Sequence, residues 1–111
     1  MTIDQTAIID LATIDHASGD LWLSISDHLP WGGADEGPHL LLLQEKLNAY
    51  LRFIESGEVL ETIPEASDRD VVINLVGKFP LSPEADAFFQ IARAAIEEAG
   101  FRLQFTLLQP N

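Results

Sequence analysis

Val59-Leu60-Glu61-Thr62-Ile63, closed by Pro64, is the segment on which the fold turns. As a short apolar stretch stopped by proline it reads as a strand. Upstream of it, Leu40, Leu43, Leu47, Tyr50, Leu51 and Ile54 recur at three and four residues. That spacing predicts a helix from Pro38 to Ser56 with one wide apolar stripe, ended by Gly57. Leu47→Ala in that stripe is expected to cost about 2–5 kcal/mol. Downstream, PEASDRD (64–70) is a turn, and VVINLVGKF (71–79) is apolar on both faces, as a central strand is. Ser82-Pro83-Glu84 starts a second helix, Pro83 to Ala99, with Phe89, Ala92, Ile96 and Ala99 as its stripe. Phe101, Leu103, Phe105 and Leu107 then alternate with Arg102, Gln104 and Thr106 as a last strand.

Working back toward the N-terminus, HLPWGGADEGP (28–38) holds two prolines and three glycines, so it is a loop leading into the first helix. Before it, Leu21, Leu23 and Ile25 alternate with Trp22, Ser24 and Ser26, a half-buried strand. The turn formers DHASGD (15–20) join that strand to an apolar one over Ala7 to Ile14, making a hairpin. The order is β-β-α-β-β-α-β in a single α+β domain, residues 1–111. It implies a two-layer sandwich: a mainly antiparallel five-stranded sheet with two helices on one face. Without the first strand, βαββαβ remains, the ferredoxin-like order. The hairpin and the ferredoxin-like arrangement are alternatives, because the strand before the first helix cannot pair as both require. The expected core is Leu23, Ile25, Leu43, Leu47, Leu51, Ile54, Ile73, Leu75, Phe89, Ile96, Leu103 and Phe105.

Eighteen Asp and Glu stand against six Lys and Arg, a net charge of −12, with 47% hydrophobic residues. This is the composition of a folded acidic domain. Phosphate neutralisation needs clustered Lys and Arg, so the charge argues against nucleic acid as a partner. Eight acids precede Lys46, the first basic residue. Such a single-sign field steers basic partners and repels anionic membrane. The chain has no cysteine, hence no disulfide or thiolate metal site. With no basic leader and no long apolar run, the cytoplasm is the expected compartment.

The richest cluster for chemistry is the loop after the second strand, with Asp27, His28, Trp31, Asp35, Glu36 and His39. Two imidazoles and three carboxylates are the groups for proton transfer or for a divalent metal. Their spacing fits no ligand motif, and no phosphate loop, nucleophile elbow or dinucleotide fingerprint is present. Gln44, Lys46 and Asn48 read as the polar side of the first helix. Trp22 falls opposite Leu21, Leu23 and Ile25, so it joins Val72 and Val76 on the second sheet face. An aromatic on an uncovered sheet face marks an association surface, most simply a homodimer.

Ser26-Asp27-His28-Leu29 with Trp31, then Leu43 to Leu47, Asn48, Tyr50 and Phe53 to Gly57, resemble a family of small uncharacterised bacterial proteins. The motif has the form ISDHLxW…LLLQEKLNAYLxFIESG, and the likeness extends through VVINLVGKFP to the last strand. The resemblance implies a shared fold and a bacterial origin, and carries no catalytic residue. The functional expectation is a non-enzymatic interaction protein without a cofactor, drawn to a basic protein partner, by analogy with immunity proteins that neutralise cationic toxins. Its expected binding residues are Trp22, Asp27, His28, Trp31, Asp35, Glu36 and His39. The alternative is a small enzyme or metal binder using Asp27, His28 and His39.

Overall fold

A computed structural model describes residues 11–108. Strand β1 (Leu11–Ile14) and strand β2 (Leu21–Asp27) form the expected antiparallel hairpin. Its turn rests on Gly19 at φ 79, with the Gly19 N–H donating to the Asp15 carbonyl. Residues 7–10 of the predicted first strand lie outside the described residues. Helix α1 (Glu36–Glu55) follows, then a short helix α2 (Glu58–Thr62), strand β3 (Val71–Gly77), helix α3 (Pro83–Glu98) and strand β4 (Arg102–Leu107).

The segment at 59–63 is therefore helix, not strand. Gly57 takes φ 84, stopping α1, and its carbonyl accepts the N–H of Leu60, so the chain re-enters a helical turn at once. Val59 is buried while Leu60, Glu61 and Thr62 are exposed. One buried residue per turn is helical burial; a strand would have hidden alternate residues.

That correction changes the sheet. It has four strands in the order β1-β2-β3-β4 and is mixed. With no strand between α1 and β3, the chain crosses over through a helix from β2 to β3 and again from β3 to β4. Strands joined by such crossovers run parallel, as both pairs do. The five-stranded, mainly antiparallel sheet and the ferredoxin-like order are not what forms; the hairpin alternative is.

The α+β, two-layer reading holds, with α1 and α3 on one face. Leu21, Leu23 and Ile25 of β2, Val71, Ile73 and Leu75 of β3 and Leu103 of β4 meet Leu43, Leu47, Tyr50 and Phe53 of α1 and Phe89 and Ile96 of α3 in one core. Leu51, Ile54 and Phe105 pack half-buried at its margin. Ser82 caps α3 as expected, its Oγ accepting the Ala85 N–H at 3.1 Å. Gly77 is required by packing: a Cβ there would stand 2.7 Å from the Phe105 ring. Among the described residues, no helix is long and apolar enough to cross a membrane.

Candidate functional site

Strand alternation carries Asp27 onto the helix-facing side of β2, behind Leu23 and Ile25. A carboxylate there needs a partner. His39 supplies it from the buried stripe of α1, one turn before Leu43. Asp27 is 3% and His39 2% exposed. His39 Nε2 lies 2.6 Å from Asp27 Oδ2, and His39 Nδ1 lies 3.1 Å from the Pro30 carbonyl. Asp27 Oδ1 accepts the Leu29 N–H at 3.1 Å. Trp31 stacks on the imidazole with ring centroids 3.4 Å apart and planes 13° from parallel.

The Pro30 carbonyl only accepts, so the Nδ1 N–H donates to it, and Nε2 is taken up by its hydrogen bond with Asp27 Oδ2. No ring lone pair is left to take a proton from a substrate or to ligate a metal. The group locks the loop after β2 onto α1. His28 is exposed and outside this lock. Asp35 lines a cavity of about 210 Å³ beside it, with Leu29, Pro30, Pro38, His39 and Leu42. Among the described residues, no group of three or more His, Asp or Glu is placed to hold a metal ion.

Glu36 turns away from the lock and joins the two helix N-termini. Hydrogen bonds from the Glu84 carboxyl and the Ser82 hydroxyl hold the Glu36 carboxyl below the usual glutamate range, and His39 adds a smaller electrostatic pull. The same contact with Glu36, and its charge, push Glu84 up.

Trp22 lies on the second sheet face, half-buried, beside Thr13, Ile14, Asp15 and His16 in a shallow depression of about 380 Å³. Its Nε1 is buried with no acceptor among the described residues. Val72, expected to need an external cover on this face, is already 2% exposed. Asn74 beside it is buried too, and accepts the Thr106 hydroxyl at 2.9 Å.

A second surface depression, with a more apolar lining, lies on the other side of the molecule, between α1 and α3. Gln44, Leu47, Asn48 and Leu51 face Phe88, Ala92, Ala95 and Ile96 across a groove of about 210 Å³. On the same two helices Ile91 is 72% and Leu41 54% exposed. Glu84 stands one turn before Phe88, Glu98 one turn after Ala95, and Glu55 one turn after Leu51, all three exposed. Sequence reasoning missed this groove because it read Gln44 and Asn48 only as a solvated face. It also placed Lys46 there, whereas Lys46 is wholly buried, with its Nζ 5.7 Å from the centre of the Tyr50 ring. Its spacing signals this: Lys46 falls three residues after Leu43, on the buried stripe.

The described bases are largely occupied within the fold. Arg69 donates to the Gly19 and Glu65 carbonyls, Arg93 to the Leu103 carbonyl, and Arg102 pairs with Asp20. The acids of α1, α2 and α3 are mostly left facing outward.

A model described as a family of unknown function (DUF6572) matches residues 1–109. No curated protein and no solved structure matches the chain.

Proposed function

The chain belongs to this family of unknown function, and from that starting point we propose that it is a non-enzymatic interaction module whose α1–α3 groove receives a basic amphipathic helix of a partner protein. The observation that carries this reading is an apolar trough lined by Leu47, Leu51, Phe88, Ala92 and Ile96 with Glu55, Glu84 and Glu98 around it. Apolar anchors on one side of the incoming helix fill the trough, and its Lys and Arg meet the carboxylates. The net charge of −12 adds long-range attraction for such a partner. The enzyme and metal reading loses its support, because His39 has no lone pair free and His28 is outside the lock.

The test is fluorescence anisotropy with a labelled, designed Leu/Lys amphipathic helical peptide. Saturable binding that weakens as salt rises is expected. Ala95→Lys puts a cation into the groove on a helix-tolerant position and is expected to weaken binding about tenfold or more. Gln104→Lys makes the same charge change on the opposite sheet face and is expected to change it much less. Equal losses in both variants would reduce the effect to net charge, and absence of saturable binding would also overturn the proposal.

A further inference from the structure

The β4 edge joins the features left unused by the groove. β4 is the outer strand of the sheet, and no Asp or Glu follows Glu98 in the sequence. The other edge, β1, is flanked in sequence by Asp10 and Asp15, so in a chain of net charge −12 a second copy meets less like charge along β4. The direction of its free groups follows from two bonds. The Leu108 N–H donates to the Gly77 carbonyl of β3 at 2.8 Å, so the even-numbered residues of β4 turn their backbone inward. Leu103, Phe105 and Leu107 therefore turn theirs outward. The Leu103 carbonyl accepts Arg93 Nε at 3.2 Å, as an outward carbonyl would. The N–H and C=O of Phe105 and Leu107 have no partner among the described residues. Their side chains are only half-buried, and Leu108 is 54% exposed.

We propose that β4 pairs antiparallel with β4 of a second copy about a two-fold axis through Phe105, making a continuous eight-stranded sheet. Phe105 then faces its own symmetry mate as a hydrogen-bonded pair, and Leu103 of each copy faces Leu107 of the other, the incoming Leu107 N–H taking the Leu103 carbonyl from Arg93 Nε. The half-buried faces of Phe105 and Leu107 meet beside the two α3 helices. An open edge strand is a template for such pairing. The edge is distinct from the α1–α3 groove, so this inference does not depend on the proposed function.

Two measurements test it on the whole chain. Sedimentation equilibrium is expected to give twice 12.2 kDa at high micromolar concentration, with association strengthening in moderate salt as the remaining charge is screened. Amide exchange is expected to show Phe105 and Leu107 protection rising with protein concentration, while inward-facing Gln104 and Thr106 stay constant. Leu107→Pro removes an outward donor without touching the β3 ladder and is expected to give a folded monomer by circular dichroism. Leu107→Glu places a carboxylate on the seam and is expected to do the same if the proline variant fails to fold. A strictly monomeric wild-type protein, or a dimer whose Phe105 and Leu107 amides exchange at a concentration-independent rate, would overturn the proposal.

Discussion

Asp27 and His39 satisfy each other's buried polar atoms, and Trp31 closes over the ring. Removing one member of such a pair leaves the other buried without its counterpart, at a cost of about 3–5 kcal/mol. Asp27→Ala is accordingly expected to lower the urea midpoint by that equivalent. His28→Ala, one residue along but exposed, is expected to change stability by no more than about 0.5 kcal/mol. A near-neutral Asp27→Ala would mean that the lock contributes nothing to the fold. The residues of this lock were legible in the sequence, since strand alternation and helical spacing both turn Asp27 and His39 inward. Its role was not legible, because the deciding acceptor, the Pro30 carbonyl, is backbone in a Gly- and Pro-rich loop whose path no periodicity encodes.

At the scale of elements, helix starts and stops were written plainly. Ser82 caps α3 and Gly57 ends α1 through chemistry that is local to a few residues. The failure at 59–63 has the opposite character: five residues are too few for one period to exclude another, and the left-handed Gly57 decides the outcome. The joined N-termini of α1 and α3 carry a pH dependence. Glu84 is raised from the ordinary 4.5, so its contribution is complete below that value and is lost as pH rises through its folded value. Glu36 is lowered, so its contribution is present above 4.5 and is lost as pH falls through its folded value. Glu84→Gln keeps a donor for Glu36 without needing a proton. Thermal melts from pH 4.5 to 7 are expected to fall less with pH in the variant than in the wild type. Parallel curves would show that the two carboxyls do not interact in solution.

For the molecule as a whole, charge predicts what it leaves alone. Lys46 is buried, and Arg69, Arg93 and Arg102 are each engaged by carbonyl or carboxylate groups of the chain itself, so against a net charge of −12 little basic surface is offered to phosphates. Neither DNA nor RNA is expected to be retained at physiological ionic strength. Salt-sensitive retention in a filter-binding assay would contradict that expectation. The order of the sheet has a mechanical consequence. β1 runs against β2 while β4 runs with it, so Leu11 and Leu107 leave the sheet from the same end, at opposite edges. A tether fixed at those two points pulls across the strands, along the hydrogen bonds. The same tension crosses all three ladders in series, and within each it is concentrated on the hydrogen bonds at the loaded end, which break one at a time. Strands loaded along their length share the force over a whole ladder. Held by those two residues, this sheet opens like a zip.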